Sequence, residues 1–188
     1  VYSSSAAVYG EHDNIITENT PKIPVSPYGK AKLYIDELLV ELSKKNKIDG
    51  YSLRYFNACG ADHNGRYGEK HEPETHIIPN LIKASIKNES VNIYGNDYNT
   101  KDGTTIRDYI HIDDINNAHF NIINSDPGSY NIGTNKGYSL IDLILKVEEI
   151  SGKKLDINYL DRRSGDPKSL VADYEKINKA IGWYPQND

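Results

Sequence analysis

Val1-Tyr2-Ser3-Ser4-Ser5-Ala6-Ala7-Val8-Tyr9-Gly10, followed by Ser26-Pro27-Tyr28-Gly29-Lys30-Ala31-Lys32, is the stretch on which the fold turns. The first segment has the character of a buried strand end that delivers three hydroxyls to a turn, and the second that of a helix start. Positions four apart share one helix face about a turn apart, so Lys32 is expected beside the Tyr28 ring. A phenol with an ordinary pKa of about 10 is a poor base at neutral pH. An ammonium about 4 to 5 Å away, at an effective dielectric of about 20, is worth roughly 3 to 4 kcal/mol before desolvation takes some back. That is about 2 to 3 pKa units, enough to let Tyr28 work near neutrality. With Ser5 bonding the same substrate hydroxyl, the three residues suit removal of a proton from an alcohol while hydride leaves its carbon. A Tyr-x-x-x-Lys pair alone is more often an ordinary aromatic and a solvated lysine; the serine cluster and the Ser-Pro before Tyr28 set this pair apart.

The 188 residues suffice for one domain of ordinary size or a large part of a bigger one. Lys and Arg number 22 against 27 Asp and Glu, a net charge of -5, whereas a nucleic-acid footprint shows a basic excess. No apolar run approaches the roughly 20 residues of a membrane span, and no secretory leader is evident. No membrane or nucleic-acid partner is therefore expected. The single cysteine, Cys59, rules out an internal disulfide framework and fits a reducing, cytoplasmic compartment. Asn88-Glu89-Ser90 matches the glycosylation acceptor pattern, and without a secretory context it is taken as a chance match in a turn.

Gly10 to Val25 is a polar loop carrying Pro21 and Pro24, and Tyr28 to Lys45 is an amphipathic helix whose stripe of Ala31, Ile35, Leu38 and Leu42 is expected to face a core. Tyr51 to Phe56 is a strand that delivers Asn57-Ala58-Cys59-Gly60 to its carboxyl end, where open α/β sheets bind ligands. Asp62 to Glu74 is a long polar loop. His63, His71 and His76 lie in or near it without Cys or carboxylate partners in any metal-site pattern, so they are expected to be solvated, with no metal. Beyond it come a helix over Ile77 to Lys87, with Ile78, Leu81, Ile82 and Ile86 inward, and a strand over Val91 to Tyr94. A turn-rich excursion over Gly95 to Thr104 leads to a strand over Arg107 to His111. Asp113 is placed to cap a helix over Asp114 to Ile123. Ser129 to Ile132 is a strand, Ser139 caps a helix over Leu140 to Ile150, and Gly152 ends it. Leu155 to Tyr159 is a strand, Arg162 to Asp166 a charged loop, and Tyr174 to Ile181 a short helix. Strands alternating with helices of about ten residues describe an α/β protein.

S-S-S-A-A-V-Y-G and S-P-Y-G-K-A-K together resemble the active-site segments of the extended short-chain dehydrogenase/reductase family and, within it, of the UDP-glucose 4-epimerases. The resemblance covers essentially the whole chain. Its most specific block is Gly95-Asn96-Asp97-Tyr98-x-Thr100-x-Asp102-Gly103-Thr104-x-x-Arg107-Asp108-Tyr109-Ile110-His111, with Arg54-Tyr55-Phe56-Asn57-x-x-Gly60-Ala61 beside it. It implies a Rossmann-type doubly wound parallel sheet with a smaller α/β substrate-binding domain. Residues 1–60 are then the later part of the NAD-binding domain with the active site, and 61–188 are mainly the UDP-sugar domain, with 106–135 returning to the Rossmann sheet. A Rossmann domain opens with a strand, a G-x-G-x-x-G turn and a helix. Gly65-x-x-Gly68 and Gly133-x-x-x-Gly137 lack that spacing, there is no methionine, and Val1-Tyr2 begins in mid-strand. The chain is thus expected to be a carboxy-terminal portion, missing the first βαβ units, of a larger enzyme.

By the same resemblance Tyr28 is the base, Ser5 shares or relays the proton, and Lys32 holds the nicotinamide ribose, with Ser5, Tyr28, Lys32, Tyr55 and Phe56 at NAD. The implied reaction is oxidation and re-reduction at sugar C4, interconverting UDP-galactose and UDP-glucose. Ser5, Tyr28 and Asn57 contact substrate. Arg107 and Arg163 bind the diphosphate, for which planar guanidinium groups are suited. Asp166 meets the uridine ribose, and Asn92 with Tyr94 the uracil region. His76-Ile77 stands where some relatives have Asn-Leu. Leu170 occupies a pocket-size position filled in relatives by tyrosine, cysteine or serine, which leaves UDP-N-acetylglucosamine open as a second substrate. Arg162 is expected in a surface salt bridge. A homodimer is implied, with the helix from Tyr28 contributing to a four-helix contact. A dehydratase needs an acidic pair where this chain has Ser4-Ser5. Another nucleotide-sugar epimerase or a decarboxylase, and a non-catalytic UDP-sugar-binding fragment, are the alternatives.

Overall fold

The computed structural model describes residues 1–12 and 14–187. In chain order the elements are β1 (Tyr2–Ser5), α1 (Pro27–Lys44), β2 (Tyr51–Tyr55), β3 (Asn57–Cys59), α2 (Ile77–Lys87), β4 (Val91–Tyr94), β5 (Ile106–Arg107) and β6 (Tyr109–His111). They continue as α3 (Ile112–Asn121), β7 (Gly128–Ile132), β8 (Tyr138–Ser139), α4 (Leu140–Ser151), β9 (Ile157–Leu160), β10 (Ser169–Leu170) and α5 (Glu175–Ile181). The chain divides into two units: residues 1–60, 107–137 and 169–188, and residues 61–106 and 138–168. The last segment thus packs in the first unit, whereas the sequence reading kept it with the second. Among the described residues, no helix is long and apolar enough to cross a membrane.

In the first unit a parallel sheet has the order β1-β2-β7, with Ser3 opposite Leu53 and Leu53 opposite Tyr130. Four of the five β2 residues are buried, as a central parallel strand covered on both faces requires. One core collects Tyr51, Leu53, Ile110, Ile115, Ile122, Tyr130, Ile132, Ile177 and Trp183; another collects Ala6, Val8, Tyr9, Ile16, Phe56 and Ala172. β3 pairs in parallel with β6. The strand expected over 107–111 is broken at Asp108. This carboxylate is fully buried and accepts from the backbone N–H groups of Thr134, Asn135 and Ala172 and from the Thr134 hydroxyl, at 2.6 to 3.2 Å. Burial pushes its pKa up and these donors oppose that.

α1 starts where Ser26 Oγ accepts the Gly29 N–H at 3.0 Å and Pro27 takes the first turn. The expected inward stripe is wrong in direction: Ala31, Ile35 and Leu38 are exposed. The packed face is Gly29, Leu33, Asp36, Val40 and Ser43, also at helical spacing, because its central residue is a carboxylate neutralised by a buried arginine. Arg54 Nε donates to Asp36 Oδ2 at 2.7 Å and its NH1 donates to the Tyr9 hydroxyl at 2.8 Å. Ser52 donates to the other Asp36 oxygen, and the Tyr9 hydroxyl donates to Asn131 Oδ1 at 2.6 Å. Burial pushes the Tyr9 phenol up to about 12, against the pull of Arg54 and Asn131, so it stays neutral.

At Gly29 an added Cβ would lie 2.4 Å from the Ala7 carbonyl oxygen and 3.0 Å from Pro24 Cβ. α1 therefore docks its first turn directly on the 3-10 turn Ala6–Val8. Gly29→Ala is expected to cost about 1 to 3 kcal/mol, since the obstacle is backbone. Thermal denaturation of the purified variant checks this, and an unchanged midpoint counts against the docking.

In the second unit β4 pairs in parallel with β9, Val91 opposite Ile157. Leu81, Ala84, Val91, Ile93 and Ile144 make its core. The inward face of α2 is Leu81, Ala84 and Ser85; Ile82 and Ile86, expected inward, are 47% and 70% exposed. α4 has the expected Ser139 cap, reciprocated by Asp142, and ends on Gly152 at φ 68. α3 is capped not by Asp113 but by His111, whose Nδ1 accepts the Asp113 N–H at 3.1 Å.

Asp102 bridges the turn-rich excursion to α4, accepting from Thr104 N–H at 2.9 Å, Thr104 Oγ1 at 2.7 Å and the Ser139 hydroxyl. Burial alone would raise its pKa, but these donors win and lower it. Asp142 is likewise lowered, by Lys101 and Ser139 against burial. A carboxyl depressed in the folded state contributes stability above its unfolded pKa, lost as pH falls through the folded value. The thermal midpoint is therefore expected to fall below about pH 5, and Asp102→Asn to flatten that slope. A midpoint independent of pH across the acid range contradicts this.

Candidate active site

β1 ends at Ser5, whose extended backbone (φ -152) turns into the Ala6–Val8 3-10 turn while its Oγ accepts the Ala7 N–H at 3.2 Å. α1 returns to this strand end, placing Tyr28 in its first turn, with the ring 57% exposed. Lys32 follows one turn on. Its ammonium donates to the Ser3 carbonyl at 2.7 Å and stands 5.5 Å from the Tyr28 ring centroid and 4.9 Å from that of Tyr2. The carbonyl aims the ammonium at the two aromatic rings. Serine hydroxyl, phenol and ammonium thus come from the carboxyl end of one parallel strand and the helix after it, where such sheets bind ligands.

At the end of β2, the Tyr55 hydroxyl donates to Ser3 Oγ at 3.0 Å and contacts His119 Nε2. Burial pushes the Tyr55 phenol up, against the bond to Ser3, and lowers His119. Phe56, expected at the cofactor, is 6% exposed, with its side chain in the core beside Val8 and Tyr9. Neighbouring Asn57 donates from both its backbone N–H and Nδ2 to the Asp108 carbonyl, at 3.0 and 2.9 Å. Arg107 lies half-buried on β5, and half-buried Leu170 packs against the Phe56 core.

The second unit gathers another group of the expected residues. Asn92 and Tyr94 share one face of β4, with Val91 and Ile93 buried on the other. The Arg163 guanidinium lies 3.8 Å from the Tyr94 ring centroid, and the Asp166 N–H closes a turn on the Arg163 carbonyl at 3.3 Å. Arg162 pairs instead with Asp97 at 2.6 Å and covers the Tyr98 ring, as the surface salt bridge expected of it. His76 occupies the position before α2 and Ile77 its first residue. Contrary to the expectation from their spacing, His71 and His76 do have carboxylate partners, Glu69 and Glu74. The Lys32 bond to Ser3 and the Tyr55–His119 contact had no signal in the sequence, because each joins a helix to a strand on which it packs.

A parallel α/β sheet with serine at one strand's carboxyl end and Tyr-x-x-x-Lys opening the next helix is the arrangement of Rossmann-type short-chain dehydrogenases/reductases. The chain belongs to the GDP-mannose 4,6 dehydratase family, whose model matches residues 1–188. It is 42% identical over 193 residues to a UDP-glucose 4-epimerase of Halalkalibacterium halodurans, covering 99% of this chain and 58% of that protein. Among solved structures it is similar to the UDP-glucose 4-epimerase of Stenotrophomonas maltophila with bound NAD and formylated UDP-arabinopyranose, at TM-score 0.93 and 32% identity over 99% of this chain and 58% of that one. The Bifidobacterium longum enzyme in complex with NAD+ and UDP gives 0.92 and 35%, with the same coverage. The chain thus spans somewhat under three-fifths of these relatives.

Proposed function

We propose that this chain is the carboxy-terminal part of an NAD-dependent UDP-glucose 4-epimerase, an isomerase acting at C4 of a UDP-hexose in galactose metabolism. The observation that carries the reading is the Lys32 ammonium, held by the Ser3 carbonyl and 5.5 Å from the exposed Tyr28 ring, one strand end from Ser5. The relatives named above support it. Although the family is named for a dehydratase, Ser4-Ser5 offer no acidic pair to expel a C6 hydroxyl, which favours epimerisation.

The donor set fits NAD: an ammonium with three N–H donors, a phenol and a serine hydroxyl suit ribose hydroxyls. Lys32, Tyr28 and Ser5 would hold the nicotinamide end, with Tyr55, opposite Ser5 in the pairing of β1 with β2, and Phe56 after it. Bound NAD supplies a hydride acceptor that later gives the hydride back. Tyr28, as phenolate, takes the proton from the sugar 4-hydroxyl, and Ser5 hydrogen-bonds that same oxygen. Lys32, held by the Ser3 carbonyl, keeps its ammonium beside the ring. On the return step Tyr28 gives the proton to the 4-oxygen after the sugar has presented its other face. Arg107 and Arg163 bind the diphosphate, Asp166 the uridine ribose, and Asn92 with Tyr94 the uracil region, while Asn57, the His76-Ile77 pair and Leu170 contact the remainder of the substrate. Binding energy from the unreacting UDP keeps the keto sugar from escaping. Residues 61–106 and 138–168 serve mainly as the substrate domain. A cytoplasmic homodimer completes the reading, supported by the outward Tyr34, Ile35 and Leu38 of α1, which are 68%, 37% and 42% exposed.

The test is conversion of UDP-galactose to UDP-glucose by the full-length protein containing this chain, with no NAD added. Steady conversion is expected. Inactivity even with NAD supplied, or a 4-keto-6-deoxy product, rejects the proposal.

A further inference from the structure

Glu69, His71, Glu74 and His76 converge just ahead of α2, and one ligand atom from each lies within 4.8 Å of all the others. His71 Nδ1 is 3.1 Å from Glu69 Oε1 and 3.6 Å from Glu74 Oε2, and His76 Nδ1 contacts the same Glu69 oxygen. The two imidazoles meet edge to face, with centroids 5.0 Å apart. Glu74 Oε1 accepts the backbone N–H groups of Thr75 and His76, both at 2.8 Å, which fixes the carboxylate with its other oxygen toward His71. Backbone support of this kind is what orients a ligand from outside the coordination shell.

Position alone does not account for His76. It occupies the cap position of α2 but makes no side-chain cap hydrogen bond, where serine, threonine, aspartate or asparagine would ordinarily serve the helix. Its ring turns instead to Glu69. Two carboxylates brought this close repel unless a positive charge stands between them. Imidazoles bind metal in their neutral form, so with a cation bound the four ligands carry a charge of -2, which one divalent cation cancels. The N₂O₂ set matches zinc and its first-row neighbours, whereas calcium and magnesium favour all-oxygen shells. Zinc–ligand bonds of about 2.0 to 2.2 Å put tetrahedral ligand atoms about 3.3 to 3.6 Å apart, within reach of exposed side chains by small rotations. The amino end of α2 disfavours a cation, but that effect is a fraction of a charge against two whole ones.

We propose that Glu69, His71, Glu74 and His76 form a four-coordinate site for a zinc-type divalent cation that fastens the loop before α2. The proposal uses no part of the epimerase reading, so either can fail without the other. His76 would bind the cation through Nδ1, which leaves its other ring nitrogen to the substrate contact implied by resemblance.

The experiment titrates the untagged, chelator-stripped full-length protein containing this chain with cobalt(II) alone at pH 7.5, watching the visible ligand-field bands of four-coordinate cobalt. Binding of one equivalent, reversed by zinc, is expected, and the His71→Ala/His76→Ala double variant should bind at least about 100-fold more weakly. His63→Ala serves as the control and should bind as the parent does. Absence of four-coordinate bands, or binding unchanged in the double variant, overturns the site. Should that variant misfold, diethyl pyrocarbonate labelling of the unaltered chain decides: zinc protects His71 and His76 and leaves His63 reactive. Equal labelling of all three with and without zinc overturns the proposal.

Discussion

Replacing Tyr28 with phenylalanine is expected to lower kcat of the full-length protein by about 10²- to 10⁴-fold, the usual contribution of a positioned general acid-base group. The substitution removes one oxygen from a ring that is 57% exposed at the first turn of α1, away from both cores of its unit. Stability should therefore change by no more than about 0.5 kcal/mol. KM for UDP-galactose should move far less than kcat, because the UDP contacts assigned to Asn92, Tyr94, Arg107, Arg163 and Asp166 are untouched. Lys32→Met is expected to lower kcat as well, since it removes both the bond to the Ser3 carbonyl and the charge beside the ring. Steady-state assays of the two variants make the comparison. A Tyr28→Phe protein that turns over like its parent removes the acid-base assignment, even if epimerase activity itself is present.

The largest effect on stability is expected at Asp36. Asp36 and Arg54 are 1% and 3% exposed, and their contact is 2.7 Å. Burial alone would lower the Arg54 pKa, but Tyr9 and Asp36 outweigh it and raise it, so the guanidinium stays charged. Asp36→Ala leaves that charge enclosed without its counterion and strips Ser52 of its acceptor. Loss of one partner from a buried pair costs about 3 to 5 kcal/mol. Replacing both partners, as Asp36→Leu/Arg54→Met, removes charge and countercharge together and should cost clearly less than either single change. Chemical denaturation of Asp36→Leu, Arg54→Met and the double variant resolves the cycle. Additive losses would falsify the coupling.

Much of the framework was legible because local signals and tertiary packing agree. Ser139 and Gly152 bounded α4, and alternation of strand and helix gave the α/β class. The orientation of α1 was not legible. Its apolar stripe has the spacing of a core face, yet the residue that faces inward is Asp36, and only the strand register that brings Arg54 and Ser52 beneath it reveals why. Asp108 broke an expected strand for a related reason: its four donors come from Thr134, Asn135 and Ala172, far along the chain. At the candidate site the closeness of Lys32 to Tyr28 follows from helix geometry alone, whereas the Lys32 bond to Ser3 needed the packing of α1 on β1, and the Tyr55 bond to Ser3 the pairing of β1 with β2. The carboxylate partners of His71 and His76 were not legible, because Glu69 and Glu74 are brought to them by the folding of the loop and not by a ligand spacing along the chain.

The buried charge pair also sets the angular phase of α1. An apolar face tolerates a rolling helix, whereas a carboxylate enclosed against one guanidinium has a single angle at which it is satisfied. Tyr28 and Asp36 lie eight residues apart, so their side chains leave the axis about 80° from each other. The direction of the phenol is thereby dictated two turns away, and a change at residue 36 gentle enough to leave the protein folded would still swing the ring off its aim.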